Sequence, residues 1–320
     1  RDLMPGKETP ARGNKRPLVD SVTQPLAQFE AAVHDMEEQV REVNARIDKR
    51  AGRPLWLAIT FGLLLGGIFV ASLFLFDELF MVFVTALVFF ATLELSGALV
   101  EKGQLKNRWL LPIMAVAMPP AVFLWGPAGH LWALLASIAL AVVIRFARGI
   151  LDKASRPRTL SDMAVAIVVL TYIPFLGSFA IAVHAGPSGL WWIFSGVVIV
   201  VSVDVGAYVT GLSFGKTPLA PKISPKKTWE GFAGSALAAL LAAGLLGTLV
   251  LGLSLWVALV IGFALLGSAT LGDLLESLIK RDLGIKDISS WLPGHGGFLD
   301  RMDSILPSVA VLFVLVQIFG

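Results

Sequence analysis

The chain has 320 residues, of which 56% are hydrophobic and only 15% are charged, and its formal net charge is +3. A soluble domain carries about 25% charged residues, so this composition excludes an ordinary soluble protein and indicates an integral membrane protein. The chain has no cysteine, which excludes disulfides, thiolate metal sites and a cysteine nucleophile.

The polar segment 1–53 precedes the first apolar run, and we assign it as a cytoplasmic N-terminal region. A secretory signal would place its apolar part within about 15–30 residues of the start, so we expect none here. We predict a disordered start followed by an amphipathic helix at about 25–48. Its apolar residues recur at alternating spacings of three and four, as in a coiled coil: Leu26, Phe29, Val33, Met36, Val40, Val43 and Ile47. This seam is typical either of a dimerising or docking helix or of a helix that lies on the protein's own cytoplasmic face.

Residues 54–320 are predicted to form an all-α polytopic membrane domain with about nine transmembrane helices. Each apolar run approaches the ~20 residues that are needed to cross the hydrocarbon core. The predicted spans are 54–76, 78–100, 109–127, 131–149, 161–184, 190–212, 231–252, 255–276 and 299–318. A Gly-xxx-Gly pair in the first span, Gly62 and Gly66, offers a close-packing face inside the protein or in a homodimer.

The distribution of basic residues predicts the orientation of these spans. All 26 Lys and Arg residues lie in 1–53 or in the connectors at 101–108, 145–158, 213–230 and 280–301. The intervening connectors carry none. Because basic loops stay in the cytoplasm, nine spans place the N-terminus and every basic loop inside and the C-terminus outside.

The first cluster of candidate site residues lies at 202–231. Asp204 falls within a predicted span, and Tyr208 follows one helical turn later. The loop after them carries four lysines and then the run Thr228-Trp229-Glu230. A basic loop that only obeys the positive-inside rule explains the lysines, but it does not explain the aspartate or the Thr-Trp-Glu run.

The second cluster lies at 273–303, from the end of one predicted span to the start of the next. Asp273, Glu276 and Lys280 fall on one helix face, and Asp300 and Asp303 share a face of the next helix. Carboxylates at a membrane edge are costly unless they are paired, hydrated or bound to something. We therefore expect them to bind divalent cations, with the neighbouring lysines and arginines neutralising phosphate oxygens.

Both clusters resemble the phosphatidate cytidylyltransferase (CDP-diacylglycerol synthase) family. The first matches an Asp-x-Gly-Ala-Tyr segment followed by Ser-Pro-Lys-Lys-Thr-Trp-Glu-Gly, here at 204–208 and 224–231. The second matches the family signature at Ser277, Lys280, Arg281, Lys286, Asp287, Pro293, His295, Gly296, Gly297, Asp300, Arg301 and Asp303. The resemblance covers the last part of the chain firmly and the earlier spans only by general pattern.

The resemblance implies conversion of CTP and phosphatidic acid into CDP-diacylglycerol and pyrophosphate, with a site at about 202–304. On this basis the catalytic candidates are Asp273, Lys280, Arg281, His295, Asp300, Arg301 and Asp303. The substrate-binding candidates are Asp204, Tyr208, Ser224, Lys226, Lys227, Thr228, Glu230, Ser277, Lys286, Asp287, Gly296 and Gly297. For Mg²⁺ we assign Asp273 and Asp300 first, then Asp303 and Asp204, in a two-cation site whose second ion the sequence does not identify.

These assignments predict the partners and the location of the protein. The expected partners are CTP, phosphatidic acid and the lipid bilayer, with a homodimer as a further option and no nucleic acid. The expected location is the inner, cytoplasmic membrane, with the site facing the cytoplasm. Two alternatives remain: a CTP-dependent transferase for an isoprenoid or ether lipid, and a transporter. A transporter predicts acids spread through the depth of several spans, whereas here they gather at one face.

Overall fold

The computed structural model describes residues 55–151, 159–289, 291 and 296–320, and this part of the chain is mostly helical. The predicted N-terminal helix at about 25–48 lies outside the described residues. The helices are α1 Leu55–Leu75, α2 Asp77–Glu101, α3 Leu110–Ala115, α4 Met118–Leu151, α5 Thr159–Leu170, α6 Leu176–His184, α7 Gly189–Phe214, α8 Trp229–Leu249, α9 Leu255–Asp282, α10 Leu299–Met302 and α11 Ile305–Phe319. A π-helical turn, Thr171–Phe175, joins α5 to α6.

Seven helical segments among the described residues are long and apolar enough to cross a membrane, so the chain is a multi-pass membrane protein. They are Asp77–Glu101, Met118–Arg148, Leu160–His184, Gly189–Phe214, Trp229–Leu249, Leu255–Asp282 and Leu299–Phe319. A shorter apolar helix, Gly62–Leu75, adds to them. The predicted helical membrane architecture is therefore confirmed in this coarser form.

The largest difference from the predicted spans lies at 109–149, where two separate spans were expected. Instead, the short helix α3 is followed by α4, which runs on for 34 residues. Inside α4, Gly126 leaves helical geometry with φ 61° and ψ −150°, a conformation that glycine adopts readily. A Cβ built on Gly129 would lie 2.8 Å from Trp125 Cβ and 3.0 Å from the Ala121 carbonyl carbon. Residues eight apart in a straight helix are separated by about 12 Å, so α4 bends sharply at Gly126.

The C-terminal helices form the scaffold of the candidate site. Helix α7 packs along α8, α8 packs against α9, and α11 packs against α6 and α9. Buried side chains fill the space between them, including Ile199 on α7, Leu265 on α9 and Leu312 on α11. Because lipid tails are as apolar as leucine, such helices associate through close packing and interhelical hydrogen bonds. One such bond joins Ser268 and Ser308, whose hydroxyl oxygens lie 2.9 Å apart.

A two-stranded antiparallel hairpin connects α7 to α8. Strand β1, Pro218–Ala220, pairs with β2, Ser224–Thr228. Thr228 then ends the hairpin and begins α8, because its hydroxyl accepts a hydrogen bond from the Gly231 amide at 3.1 Å. This hairpin holds the lysine-rich part of the first cluster against the helices that carry the second.

Candidate active site

A polar cavity of about 420 Å³ lies among α7, the hairpin, α8, α9 and α10. Acidic and basic side chains from both sequence clusters line it. The predicted site residues on its wall are Asp204, Tyr208, Lys226, Lys227, Thr228, Asp273, Lys280, Asp300, Arg301 and Asp303. Two segments that are about 70 residues apart in the chain therefore converge on one space.

The ammonium group of Lys280 joins the end of α9 to α10. Its Nζ lies 2.5 Å from Glu276 Oε2 on the preceding turn and 3.0 Å from Asp300 Oδ1. The Glu276 side chain is completely buried, and those of Lys280 and Asp300 are 16% and 9% exposed. Charges buried this deeply require partners, so this triad fixes the two helices relative to each other.

Ser304 joins α7 to the start of the last helix. Its hydroxyl donates to Asp204 Oδ1 at 3.2 Å, and its amide donates to Asp303 Oδ1 at 2.7 Å. Asp303 is buried, and both aspartates face the polar cavity. One serine thus places two carboxylates from distant parts of the chain on the same wall.

The hairpin is attached to α9 at two points. Lys227 on β2 forms an ion pair with Asp273, and Arg281 donates through Nε to the Ile223 carbonyl at 3.2 Å. The Ser277 hydroxyl lies 3.5 Å from Asp273 Oδ1. Arg281 and Ser277 do not line the cavity; Ser277 contacts Asp273, which does, and Arg281 attaches the hairpin to α9.

Glu230 holds the base of the hairpin. Its carboxylate accepts hydrogen bonds from the Lys216 amide at 3.1 Å, the Thr217 amide at 3.1 Å and the Thr217 hydroxyl at 2.9 Å. The Trp229 amide donates to the Thr217 carbonyl at 2.9 Å. Glu230 is therefore placed to shape the lysine loop, and it does not line the cavity, nor does Ser224 on β2.

Glu94 of α2 contacts the backbone at Gly297 and at the start of α10. Glu94 is 3% exposed, accepts a hydrogen bond from the Leu299 amide at 2.8 Å and accepts another from the Ser289 hydroxyl. The backbone of Gly297 passes so close to this carboxylate that a Cβ would clash with it. The Gly297 amide then donates to Asp300 Oδ2 at 2.8 Å. Glycine at this position is therefore a steric requirement.

Four other predicted residues do not line the polar cavity or lie outside the described residues. Lys286 and Asp287 are exposed in the segment that follows α9, and neither lines the polar cavity. His295 lies outside the described residues, as does the rest of 292–295. Gly296 is buried beside Gly297 and has a φ of 86°.

The structure also adds three residues that were not among the predicted site residues. Glu276 was recognised on the charged face of α9, and its position one turn before Lys280 was the signal for its pairing. Glu94 lies within the predicted span 78–100, where an acid signals a buried partner, structural or functional, without identifying it. Ser304 follows Asp303 directly, but nothing in its sequence context indicated a bond to an aspartate 100 positions earlier.

The donor set of the cavity fits a magnesium site in its chemistry. Four aspartates face one space, and Mg²⁺ prefers carboxylate oxygens together with water and substrate phosphates. In the conformation described, two of these aspartates bind lysines, and within the described ranges no group of three or more acidic or histidine side chains is gathered closely enough to hold an ion. Mg²⁺ binding by Asp273, Asp300, Asp303 and Asp204 stays a prediction.

Comparison with known proteins places this arrangement in a family. The family described as "Cytidylyltransferase family" matches residues 56–319. The chain belongs to the cytidylyltransferase family. It is 35% identical over 281 residues to a phosphatidate cytidylyltransferase of Mycobacterium bovis, covering 84% of this chain and 90% of that protein. The resemblance inferred from the two motifs is therefore confirmed, and it extends to the earlier helices.

Two further members show how the similarity varies. A phosphatidate cytidylyltransferase of Mycobacterium leprae is 35% identical over 284 residues, covering 84% of this chain and 89% of that protein. One from Bacillus subtilis is 44% identical over 133 residues, covering 41% of this chain and 49% of that protein. The higher identity over a shorter stretch indicates that one part of the cytidylyltransferase chain is more alike between these proteins than the rest.

Proposed function

We propose that this protein transfers the cytidylyl group of CTP to phosphatidic acid, forming CDP-diacylglycerol and pyrophosphate. The observation that carries the proposal is the polar cavity, in which four aspartates, three lysines and an arginine face one space within a membrane protein. Relatives named phosphatidate cytidylyltransferase, with similarity over most of the chain, support the same substrates.

The chemistry requires management of negative charge more than a strong base. A phosphate oxygen of phosphatidate attacks the α-phosphorus of CTP, forming a new P–O bond. The bond between the α-phosphorus and the bridging oxygen breaks, and its electron pair leaves with pyrophosphate. A phosphate monoester has a second pKa of about 6, so the attacking oxygen is largely ionised at neutral pH. The main barrier is then repulsion between two anionic substrates.

Basic residues on the cavity wall are suited to reduce this repulsion. Lys227 and Lys280 bind Asp273 and Asp300, and a substrate phosphate offers each ammonium group a comparable anionic acceptor. Lys226 and Arg301 face the same cavity and are further phosphate contacts. Preorganised cations that face the developing charge are among the largest contributors to catalysis of this kind.

The aspartates would hold the metal once the lysines engage phosphate. We assign Asp273 and Asp300 as the principal ligands and Asp303 and Asp204 as further ones. Bound Mg²⁺ would supply charge neutralisation at the phosphates and at the leaving pyrophosphate. Glu276 stays paired with Lys280 and limits the positions that this ammonium group can take.

We further infer nine spans, with the N-terminus and the site on the cytoplasmic side of the inner membrane and the C-terminus outside. The alternation of basic and non-basic connectors supports this orientation. The bend at Gly126 supports separate spans on its two sides, and α1, an apolar helix of 21 residues, is long enough to be a further span. A homodimer remains a proposal that rests on the seam in 26–47 and on the Gly62 and Gly66 pair.

The direct test is an assay of the purified full chain with labelled CTP, Mg²⁺ and a set of lipid phosphates. The set contains diacyl phosphatidate, an ether-linked phosphatidate and an isoprenoid phosphate. We expect Mg²⁺-dependent formation of CDP-diacylglycerol from diacyl phosphatidate, with release of pyrophosphate. Exclusive use of the isoprenoid or the ether lipid would assign a different substrate. If none of the three lipids accepts a cytidylyl group, the proposal is contradicted.

A further inference from the structure

A second cavity, of about 250 Å³, lies among α1, α2, α6, α7 and α11. Its wall is almost entirely apolar and includes Leu65, Phe69, Phe83, Val84, Val197 and Val309. Among the described residues that line this cavity, Arg301 alone has a polar or charged side chain. The cavity therefore suits a hydrocarbon group, and an anion attached to that group can contact Arg301.

Arg301 also lines the polar cavity, so one residue belongs to the walls of both. On the polar side it faces the same space as Asp300 and Lys280. On the apolar side its neighbours include Phe298 and Met302. A molecule whose phosphate contacts Arg301 can thus extend an attached hydrocarbon chain into the apolar cavity.

We propose that the apolar cavity binds one acyl chain of the phosphatidate substrate while Arg301 contacts its phosphate. This proposal rests on the proposed function and adds a binding site for the lipid chain. An arginine is suited to the phosphate because its planar guanidinium can donate two parallel hydrogen bonds to phosphate oxygens. The chain and the phosphate are covalently joined, so one ligand satisfies both cavities.

The physical role of this cavity is to position the substrate. A lipid tail is as well solvated by the bilayer as by leucine and phenylalanine, so moving the chain into the cavity gains little free energy. Its effect is to fix the direction of the phosphate relative to CTP. Misplacement of a reacting group by about 1 Å can reduce the rate a hundredfold, so an excluded chain should lower turnover of long-chain substrate.

Two adjacent glycines on α1 provide a matched test. Gly66 lines the apolar cavity and Gly67 does not, and a Cβ at either position would have no neighbour within 4 Å. Within the described residues Gly66 thus makes no close helix contact and leaves space for the cavity, while a close-packing role in a homodimer stays a prediction. Gly66→Leu adds an isobutyl group to the apolar cavity. Gly67→Leu is the matched control, because it changes helix propensity by the same amount but adds its side chain outside the cavity.

The experiment measures kcat/KM of the full chain in mixed micelles with dioleoyl phosphatidate and with dihexanoyl phosphatidate. For Gly66→Leu we expect kcat/KM with the long-chain lipid to fall about tenfold or more, with little change for the short-chain lipid or in the KM for CTP. Gly67→Leu should behave as the parent chain does with both lipids. Equal behaviour of the two variants with the long-chain lipid would overturn the proposal.

A second measurement needs no substitution and covers the outcome in which Gly66→Leu does not fold. The parent chain is irradiated with phosphatidate that carries a diazirine near the end of one acyl chain, and labelled peptides are mapped. We expect labels at 65–69, 83–87 and 193–201, which competing dioleoyl phosphatidate reduces. Labels that a neutral diacyl lipid displaces equally well would show a general lipid cleft and overturn the assignment. Failure of the parent chain to convert either phosphatidate would instead contradict the proposed function.

Discussion

Lys280 is the residue whose surroundings most constrain the candidate site. It lies between a completely buried glutamate and a nearly buried aspartate, with an ammonium-to-oxygen distance of 2.5 Å to Glu276 and 3.0 Å to Asp300. Two carboxylates against one ammonium group leave a formal excess of negative charge. Such an excess is stabilised when a cation or a proton joins the group, which fits a site that is completed by a metal.

Replacing Lys280 should therefore reduce both stability and activity. In Lys280→Met the two carboxylates lose their common partner, and breaking a buried ion pair in this way costs about 3–5 kcal/mol. Adding Glu276→Gln removes one of the orphaned charges, so the double variant should recover much of the stability and none of the activity. Thermal unfolding in micelles and CTP turnover check the two effects. Stability equal to that of the parent chain in Lys280→Met would contradict the pairing.

Asp300 gives the sharpest test of the acidic residues. Its carboxylate accepts from Lys280 and from the Gly297 amide, so Asp300→Asn keeps the size of the side chain and removes its charge. We expect turnover to fall by about a hundredfold or more while the protein stays folded, since charge at the reacting phosphates is the main requirement. Asp282→Asn, at the exposed end of α9, is the control and should leave turnover unchanged. Near-normal turnover of Asp300→Asn would contradict the metal assignment.

At this scale, part of the site could be predicted from the sequence. Asp273, Lys280 and Asp300 were identified because helical periodicity and the family signature place acids and bases on shared faces. The bond from Ser304 to Asp204 could not be predicted, since it depends on how α7 and α11 pack and no local pattern records that contact. For the same reason the sequence does not identify the hydrogen-bond partners of Glu94.

At the scale of elements, the positions of Gly297 and of α10 depend on contacts with α2, which lies about 200 residues earlier in the chain. Glu94 of α2 accepts from the Leu299 amide and from the Ser289 hydroxyl, two groups that lie ten positions apart in the chain. Close to this carboxylate, the Gly297 amide donates a hydrogen bond to Asp300. Helix α2 thus acts on the cavity without lining it, which makes Glu94 a positioning residue.

Substitution of Glu94 tests this positioning role. Glu94→Ala leaves buried donors without acceptors, each at a cost of about 1–3 kcal/mol, and should lower kcat while making 284–298 more sensitive to protease. Glu94→Gln retains an acceptor for the Leu299 amide, and the Ser289 hydroxyl can rotate to accept from its NH₂ group, so it should retain most of the activity. Parallel assays of kcat and proteolysis check both variants. Parent-like proteolysis in Glu94→Ala would show that other contacts hold this segment.

The element boundaries show what periodicity can and cannot predict. The predicted spans at 190–212 and 255–276 agree closely in their starts with α7 and α9, because long apolar runs locate helices well. Helix α9 continues to Asp282, beyond its predicted end, and its last turns carry the ion pairs of Asp273 with Lys227 and of Glu276 with Lys280. The π-helical turn at Thr171–Phe175 and the bend at Gly126 arise from backbone geometry that hydropathy does not reveal.

At the scale of the whole molecule, the nine-span proposal predicts the side of the membrane on which each connector lies. The chain has no cysteine, so single substitutions to cysteine report on one position at a time. The exposed positions Lys102, Ala128 and Pro187 sample three connectors of the proposed nine-span topology. A membrane-impermeant maleimide reacts with a cysteine thiolate in water and not with one inside the bilayer.

We expect Lys102→Cys to react only when the cytoplasmic face is accessible, and Ala128→Cys and Pro187→Cys to react from outside. Labelling of right-side-out and inverted vesicles, scored by mass shift, makes the comparison. Ala128 is decisive for the number of spans, because a single span over Met118–Arg148 would bury it in the bilayer. Lack of labelling of Ala128→Cys from either side would exclude the nine-span proposal.

The position of Arg301 between two cavities has a consequence for how the reaction should be measured. One reactant would arrive from water and the other from the plane of the membrane. The velocity should then follow the mole fraction of phosphatidate in the micelle or bilayer, and dilution with neutral detergent at constant bulk lipid should slow it. The acyl chain of CDP-diacylglycerol would stay in the apolar cavity while the head group is converted. The product would therefore leave sideways into the leaflet. Excess neutral diacyl lipid would not slow this release.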